Sequence, residues 1–327
     1  MYDLVAIGEC LIDFTPAGMN DQGIQLFGEN PGGAPANVLA MYTRLGGKTG
    51  FIGRVGDDGF GKYLGKVMQN AHIDIRGMQV DKEIPTTLAF VQLDEKGDRS
   101  FSFYRKPGAD IRLTKNEIPA DLIDHTAIFH FGSVSLTDEP SRSTTLDTVS
   151  AARKNGSIIS FDPNYRPLLW KSESKARETI LSCLDKVHIL KVSDEEMTLL
   201  TGETNVEKGA SMLRTMGPIL VVVTMGEKGA YFDAPAGTGM VPGFAVNSID
   251  TTGAGDSFWG TLLNELMKKH SQDMNVKAIE TTTADEWISM VRYANAAAAL
   301  TTTKNGAIPS MPTVSEIQSI LNHSLKA

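Results

Sequence analysis

The sequence is poor in cysteine, with two among its 327 residues, Cys10 and Cys183. Two cysteines cannot build a zinc cluster and are too few for the disulfide framework of a small secreted protein, so we expect two buried thiols in a reducing compartment. The amino terminus lacks the basic segment and the apolar stretch of a signal peptide. No apolar run approaches the length of a membrane span, so we expect a cytoplasmic protein without a membrane partner.

Positive charge is also scarce. Lys and Arg number 31 against 39 Asp and Glu, the formal net charge is −8, and the basic residues form no run. Nucleic acids and anionic membrane surfaces are bound by clustered positive charge, so neither is an expected partner. Hydrophobic residues make up 41% of the chain and charged residues 21%, which is typical of a globular protein.

Apolar runs rich in β-branched residues alternate with helical patterns. Strands are predicted at residues 4–7, 127–131, 158–161, 187–192 and 219–224. Helices are predicted at residues 35–45, 59–70, 140–155, 194–201, 206–216, 254–268 and 284–303. Strands separated by crossover helices form parallel sheets, so the pattern predicts a doubly wound α/β fold with a mainly parallel sheet.

Two stretches interrupt this alternation, at residues 18–30 and 86–106. In the second stretch, two alternating β runs flank a glycine-containing turn at residues 94–97, which predicts a hairpin. We interpret both stretches as a small β lid inserted into a main domain of residues 1–17, 31–85 and 107–327. Edge strands of such a lid favour pairing with a second copy, so we expect a homodimer formed through the lid.

The segment Asp250-Thr-Thr-Gly-Ala-Gly-Asp256 carries the clearest chemistry. A Gly-Ala-Gly turn at a helix start exposes backbone N–H groups and the positive end of the helix dipole, which together form an anion hole. A carboxylate beside bound phosphate is unfavourable unless it acts on another group, such as a hydroxyl that attacks phosphorus. The segment therefore indicates phosphoryl transfer to an alcohol with Asp256 as base, although a helix-capping role for Asp256 is an alternative.

Other polar positions are expected at the same end of the sheet. Asp13 comes soon after the first predicted strand, and Gly32, Gly33 and Asn37 surround a helix start. Open α/β sheets bind ligands beyond the carboxyl ends of their strands. A carboxylate and an amide beside close-approach glycines suit a polyhydroxylated ligand, while a turn or capping role is the alternative for each residue.

One motif is misleading. Gly56 and the Gly61-Lys62 pair have the spacing of a phosphate-binding P-loop, but Tyr63 follows where that loop needs Ser or Thr. Two acidic residues inside the segment would also repel phosphate. We interpret it as a glycine-rich turn that opens a helix, and His130, inside an apolar strand, as a core histidine.

Three segments together resemble the ribokinase-like (PfkB) sugar kinases: 32–37 with Leu45-Gly46, 53–61, and 250–256. The resemblance runs from residue 9 to residue 310, and the segments 103–110, 161–167 and 191–196 are most similar to fructokinases. It implies a ribokinase-like fold with a small β-sheet lid. It also implies ATP-dependent phosphorylation of a free sugar on a primary hydroxyl, with D-fructose converted to fructose 6-phosphate.

The resemblance also implies roles for individual positions. For catalysis these are Asp256 as base and the anion hole of Gly253, Ala254 and Gly255. For sugar binding they are Asp13, Gly32, Gly33, Asn37, Tyr104, Arg105 and Arg166. For ATP they are Lys191, Ser193, Glu196, Thr224, Gly226, Gly229, Asn295 and Ala298. For an activating K⁺ they are Asp250, Thr252, Thr301, Lys304, Gly306 and Ser310, partly through carbonyl groups.

The chain departs from the family pattern at one position. The family commonly has Asn-x-x-Glu near the metal and the phosphates, whereas Ser193 stands here in the place of the Asn and Glu196 is retained. Fructokinase-like members share this serine. Glu196 is therefore expected to reach the Mg²⁺ that accompanies ATP through water.

Two other functions are considered. A 2-keto-3-deoxygluconate kinase would place Arg105 and Arg166 on the carboxylate of its acid substrate, whereas the segment 106–110 favours fructose. A noncatalytic sugar-binding regulator would keep the fold without the chemistry. The intact Gly-Ala-Gly-Asp256 sequence argues against the regulator.

Overall fold

A computed structural model describes residues 1–93, 99–271 and 273–324. The strands, numbered along the chain, are β1 Tyr2–Ile7, β2 Leu11–Met19, β3 Gln25–Gly32, β4 Thr49–Gly56, β5 Asp74–Asp81, β6 Leu88–Leu93, β7 Arg99–Tyr104, β8 Thr126–Gly132, β9 Ile158–Asp162, β10 Ile189–Ser193, β11 Leu220–Thr224, β12 Ala230–Ala234 and β13 Gly237–Val241. The α-helices are α1 Ala34–Arg44, α2 Gly59–Asn70, α3 Asp121–Asp124, α4 Ser141–Lys154, α5 Glu173–Leu181, α6 Asp194–Thr201, α7 Val206–Thr215, α8 Ala254–Lys269, α9 Val276–Thr281, α10 Ala284–Thr301 and α11 Val314–Ser324.

Nine strands form a large sheet in the order β13-β12-β11-β10-β9-β8-β1-β4-β5. Pairing is parallel from β11 to β5 and antiparallel for the last two pairs, β11 with β12 and β12 with β13. Residues of β1 alternate between two hydrophobic clusters, one shared with α1, α2, α8 and α10 and the other with α4, α5, α6 and α7. Helices therefore cover both faces of the sheet, and the predicted doubly wound α/β fold is confirmed.

The five predicted strands and seven predicted helices are present, with ends that shift by no more than two residues. Four strands of the large sheet were not predicted, namely β4, β5, β12 and β13. Glycine and charged residues interrupt the apolar runs of β4 and β5, while β12 and β13 are short and antiparallel. Helices α3, α5, α9 and α11 were also not predicted. The first and third are short and α5 is polar, so their periodicity is weak. Helix α11 is amphipathic and was missed although its pattern is clear.

A second sheet has four strands in the order β3-β2-β6-β7. Strands β6 and β7 are antiparallel, with Leu88 opposite Tyr104, whereas the predicted turn at 94–97 lies outside the described residues. Strand β2 begins at Leu11, so Asp13, which comes soon after β1 in sequence, lies within a strand of this sheet. The predicted division into a main domain and a lid stays a prediction.

Three other expectations concern the cysteines, a histidine and the membrane. Cys10 and Cys183 are buried and unpaired, as predicted. His130 is buried in β8 with its Nδ1 atom 3.0 Å from Ser160 Oγ, as expected of a core histidine. In the part of the chain that the structure describes, no helix has the length and apolar character needed to cross a membrane.

The topology brings several strand ends to one edge of the large sheet. Asp162, Ser193 and Thr224 are the last residues of β9, β10 and β11, three neighbouring parallel strands. Parallel strands end on the same side of a sheet. Residues from separate segments of the chain therefore lie at one edge of the sheet.

Candidate active site

The first turn of α8 carries the predicted anion hole. Its N-cap residue, Gly253, has a φ of 77° and offers no side-chain cap. A Cβ at Gly253 would lie 2.7 Å from the Cβ of Ala307, so both backbone conformation and space require glycine. The N–H of Ala254 donates to Thr251 O at 3.3 Å. The amide of Ala254, a predicted member of the anion hole, is thus engaged, and those of Gly253, Gly255 and Asp256 are left to bind an anion at this helix start.

Asp256 follows at the third position of the helix and is 6% exposed. Its Oδ2 accepts a hydrogen bond from Asn37 Nδ2 at 2.8 Å, and its Oδ1 accepts one from Asn164 Nδ2 at 3.0 Å. The alternative that Asp256 caps the helix is wrong, since the cap position belongs to Gly253. Burial raises the pKa of Asp256, and the Asn37 hydrogen bond with the positive charges of Lys191 and Arg166 opposes that rise.

Asn37 reaches Asp256 because of how α1 begins. A Cβ at Gly33 (φ 108°) would lie 2.4 Å from Glu9 O, and one at Gly32 would lie 2.1 Å from Asp13 Oδ2. Both glycines therefore allow the backbone to approach β2 and the residues before it. Since Asn37 donates from its nitrogen, its Oδ1 faces away from Asp256, where this buried acceptor has no hydrogen-bond partner.

Asp13 lies close to the same carboxylate. Burial raises the pKa of Asp13 to about 7, the negative charges of Asp256 and Asp250 add to the rise, and Arg166 opposes it. The structure thus brings Asp13, Asn37, Arg166 and Asp256 together, as the predicted sugar site requires.

Two predicted sugar residues at the end of β7 have different environments. Tyr104 is 66% exposed and packs edge-on against Phe90 with ring centres 5.4 Å apart. Arg105 is 5% exposed, with its Nε and Nη2 atoms 2.7 and 2.6 Å from Asp110 Oδ2. Its Nη1 donates to Thr137 Oγ1 at 2.7 Å and Nη2 also donates to Val134 O at 3.0 Å. All three nitrogens of this guanidinium are bound by protein groups.

Lys191 is buried and forms an ion pair with Asp162, with Nζ 2.8 Å from Oδ2. A Cβ at Gly255 would lie 3.0 Å from Lys191 Nζ, so the ammonium group sits against the first turn of α8. Burial lowers the pKa of Lys191, but the carboxylates of Asp162, Glu196 and Asp256 outweigh burial and the net pKa is raised. The ammonium group therefore stays charged beside the anion hole.

Ser193 and Glu196 form a capping box at the start of α6. Ser193 Oγ accepts from Glu196 N at 3.1 Å, and Glu196 Oε2 accepts from Ser193 N at 2.8 Å. Glu196 Oε1 accepts from Tyr165 N at 2.6 Å, so each carboxylate oxygen holds a backbone N–H. The departure from Asn-x-x-Glu thus has a local explanation, since Ser-x-x-Glu is the capping-box pattern.

Two of the predicted nucleotide residues, Gly229 and Asn295, lie against residues 241–243. Gly229 has a φ of 99°, and a Cβ there would lie 2.1 Å from Val241 O. Asn295, on α10, donates from Nδ2 to Val241 O at 3.0 Å and to Pro242 O at 3.1 Å. Thr224, the last residue of β11, and Gly226 (φ 56°) precede Gly229 in sequence, and Ala298 follows Asn295 on α10.

Two of the predicted cation residues, Thr252 and Gly306, contact Asp250. Asp250 Oδ1 accepts from the N and Oγ1 atoms of Thr252 at 2.9 and 2.7 Å, and Oδ2 accepts from Gly306 N at 2.9 Å. Thr301 Oγ1 instead contacts Ala297 O and Ser257 Oγ, and Lys304 Nζ pairs with Glu316 Oε1 at 2.9 Å. Ser310 lies in the turn that follows, where its N–H donates to Ala307 O at 3.1 Å. Thr301 and Lys304 are therefore left with their carbonyl groups for a cation.

The P-loop-like segment takes no part in this site. Asp58 accepts from Gly61 N at 2.8 Å as the N-cap of α2, and Lys62 pairs with Asp57 at 2.9 Å. This is the glycine-rich helix start that the sequence predicts.

Three residues of the site were not selected from the sequence: Glu9, Asp162 and Asn164. Glu9 is buried, accepts from Ala34 N at 2.9 Å, and has a pKa raised to about 7 by burial. Asp162 and Asn164 belong to the segment 161–167, whose fructokinase-like pattern was the available signal. Their contacts with Lys191 and Asp256 depend on partners 29 and 92 residues away, which no local pattern reveals.

Comparison with known proteins supports one interpretation of this geometry. The model of the "pfkB family carbohydrate kinase" matches residues 1–314. Fructokinase-1 of Zea mays is 41% identical over 321 residues, covering 97% of this chain and 97% of that protein. Among solved structures, a fructokinase from Xylella fastidiosa with bound ATP has a TM-score of 0.90 at 31% identity, covering 99% of this chain and 100% of that one. A double mutant of the fructokinase from Vibrio cholerae O395, solved with fructose, ADP and a potassium ion, has a TM-score of 0.85 at 34% identity and covers 98% of each chain.

Proposed function

The chain belongs to the pfkB family of carbohydrate kinases, and we propose that it transfers the γ-phosphoryl group of ATP to the 6-hydroxyl of D-fructose. The observation that carries the proposal is the position of Asp256. Its buried carboxylate lies in the first turn of α8, within hydrogen-bond distance of Asn37 and beside the ammonium group of Lys191.

Asp256 acts as the general base. It takes the proton of the sugar hydroxyl as that oxygen bonds to the γ-phosphorus, and the bond from phosphorus to the bridging oxygen breaks to release ADP. The amides of Gly255 and Asp256 and the Lys191 ammonium group stabilise negative charge on the transferring group. The raised pKa of Asp256 makes it a stronger base than an exposed carboxylate.

The sugar lies between β2 and the start of α1. Asp13 accepts hydrogen bonds from sugar hydroxyls, and the unpartnered Oδ1 of Asn37 accepts another. Asn37 then contacts the sugar with one end of its amide and the base with the other. This arrangement sets the distance between the hydroxyl and Asp256.

Arg105 favours fructose over 2-keto-3-deoxygluconate. Its guanidinium is buried and bound to Asp110, Thr137 and Val134, so it has no free edge for a substrate carboxylate. Arg166 is the remaining cation of the two that the acid substrate would need. An uncharged sugar requires neither.

Mg²⁺ is proposed to accompany ATP, and Glu196 would help to hold it through water. Each Glu196 oxygen already accepts a backbone N–H, so the remaining lone pairs suit a water molecule on the metal ion. Bound Mg²⁺ would neutralise charge on the phosphates. The adenosine lies along the segment 241–243 that Gly229 and Asn295 contact.

A monovalent cation is proposed beside the anion hole. The carboxylate of Asp250 and nearby carbonyl groups supply the oxygen ligands that K⁺ uses. Ala307, which follows Gly306 in sequence, lies against Gly253 of the anion hole. A bound K⁺ would add positive charge behind the amides that hold the phosphoryl group. The ligands of K⁺ would be Asp250, Thr252, Thr301, Lys304, Gly306 and Ser310, the last four through their backbone carbonyl groups.

The central test replaces the base. We expect Asp256→Asn to retain fructose binding, measured by calorimetry, and to lower kcat by about 10²–10⁴, the usual contribution of a general base. The matched control is Asp285→Asn, an exposed aspartate in the first turn of α10, which leaves kcat unchanged. Turnover of Asp256→Asn at the wild-type rate contradicts the proposal, and so does a higher kcat/KM for 2-keto-3-deoxygluconate than for fructose in the unaltered enzyme.

A further inference from the structure

We propose that Asn164 is a positioning residue that holds the carboxylate of Asp256 in the orientation in which it meets the sugar hydroxyl, an inference that rests on the proposed function. Asn164 lies two residues beyond the end of β9, in the loop that leads to Arg166. No sequence motif described above predicts a role for this asparagine.

The contact is one half of a two-sided clamp. Asn164 Nδ2 donates to Asp256 Oδ1 at 3.0 Å, and Asn37 Nδ2 donates to Asp256 Oδ2 at 2.8 Å. The two amides come from segments far apart in the chain and bind different oxygens. The carboxylate therefore cannot rotate without losing a hydrogen bond to a charged group.

The backbone of Asn164 is held in an uncommon conformation. Its φ of 46° lies in the left-handed region, which His72 shares among the non-glycine residues that the structure describes. Both neighbours are fixed by hydrogen bonds: Ser133 N donates to Pro163 O at 2.9 Å, and Tyr165 N donates to Glu196 Oε1 at 2.6 Å. The fold thus maintains a strained conformation that directs the Asn164 amide at the base.

The two hydrogen bonds also affect the protonation of the Asp256 carboxylate. A base must be ionised before it can take a proton, and burial disfavours the ionised form of Asp256. The Asn37 hydrogen bond, the charges of Lys191 and Arg166, and the Asn164 hydrogen bond favour the ionised form, whereas the neighbouring carboxylates of Asp13 and Asp162 disfavour it. Loss of the Asn164 amide should therefore raise the pKa of Asp256 further and let the carboxylate turn away.

The experiment uses two substitutions that tolerate the left-handed backbone. Asn164→Gly removes the amide, and Asn164→Asp keeps the shape but replaces the donor with a negative charge. We expect Asn164→Gly to lower kcat by about 10- to 100-fold, the effect of one hydrogen bond to a charged group, with KM for ATP unchanged. The acid limb of the kcat–pH profile should move to higher pH, and Asn164→Asp should have the larger effect on both.

Two controls separate positioning from general damage. His72→Gly changes an exposed residue with the same backbone conformation and should leave kcat and the pH profile unchanged. Introduced into an Asp256→Asn enzyme, Asn164→Gly should cause no further loss, because no base remains to be positioned.

The results distinguish this inference from the proposed function. A wild-type kcat and pH profile in Asn164→Gly overturns the role of Asn164, as does an equal further loss in the Asp256→Asn background. Full turnover by Asp256→Asn overturns the assignment of the base itself. Should the glycine variant not fold, Asn164→Asp provides the same comparison, and an unshifted acid limb in that variant overturns the inference.

Discussion

Single residues of the site are held in states that cost stability. Asp13 and Asp256 are carboxylates that burial drives towards the protonated form, with Asp13 reaching a pKa of about 7. A solvent-exposed aspartate would bind hydroxyls less strongly, because water competes for its oxygens. The site therefore gains affinity for a sugar at the expense of the free energy of folding.

Asp13→Asn tests that exchange. The pKa of Asp13 is raised from 3.8 to about 7 in the folded protein, so its contribution to stability is present below pH 3.8 and is lost as the pH rises through about 7. Removing the charge should raise Tm by a few degrees at pH 8, change Tm little at pH 4, and weaken fructose binding. Thermal unfolding at both pH values and fructose titration measure this, and a lower Tm at pH 8 would contradict the burial argument.

The environment of some residues can be predicted from a short stretch of sequence, and that of others cannot. Ser193 was identified as a departure from Asn-x-x-Glu, and the structure explains it as half of a capping box with Glu196. That pattern is readable from four consecutive residues. Arg105 shows the opposite case, since its burial against Asp110 and Thr137 follows from packing between distant segments.

At the scale of elements, the contact between α1 and α8 sets the geometry of the base. Asn37 lies on α1 and Asp256 on α8, and the two helices approach closely at Gly260. A Cβ at Gly260 would lie 2.5 Å from Val38 O, next in sequence to Asn37. The 2.8 Å bond from Asn37 to Asp256 thus depends on a glycine one turn further along α8.

Gly260→Ala should separate the two helices. We expect a loss of about 1–3 kcal/mol in the free energy of unfolding, as for other overpacked sites, together with a lower kcat because Asn37 withdraws from Asp256. Urea unfolding and steady-state kinetics measure both effects. Gly59→Ala is the control, since a Cβ there meets no atom within 4 Å. Wild-type stability and kcat in Gly260→Ala would show that the helices adjust without affecting the base.

The elements predicted from the sequence are those with strong local signals. Buried parallel strands such as β8 are continuous apolar runs, and α6 and α8 begin at recognisable caps or glycine turns. Strands β4 and β13 contain glycines that weaken the β pattern, and their place in the sheet comes from pairing with neighbours. Pairing partners compensate for weak intrinsic preference.

At the scale of the whole molecule, the four-stranded sheet exposes several apolar side chains. Large hydrophobic side chains of β2, β3 and the turn between them are exposed, Met19 at 73%, Ile24 at 57% and Leu26 at 44%. Strands β3 and β7 form the two edges of this sheet. These features support the proposed homodimer, in which a second copy would cover the exposed side chains.

Ile24→Glu tests the dimer. A charge on this surface should shift the molecular mass from dimer to monomer in size-exclusion chromatography with light scattering. Met212→Glu, which places the same charge on an exposed methionine of α7, should leave the dimer intact. A monomeric mass for the unaltered protein at micromolar concentration would contradict the proposal.

The α/β class, the main helices and strands, and the proposed anion-binding role of the Gly-Ala-Gly-Asp256 segment were predictable from the sequence, because periodicity and glycine turns are local properties of the chain. The tertiary structure decided which side chains meet: the amide of Asn164 with Asp256, Lys191 with Asp162, and Arg105 with Asp110. Asn164 and Asp256 are 92 residues apart, and they meet because β9 and α8 end and begin at the same edge of the sheet. Hydrogen bonds and buried charges of this kind depend on topology and on exclusion of water. No short stretch of sequence predicts either of them.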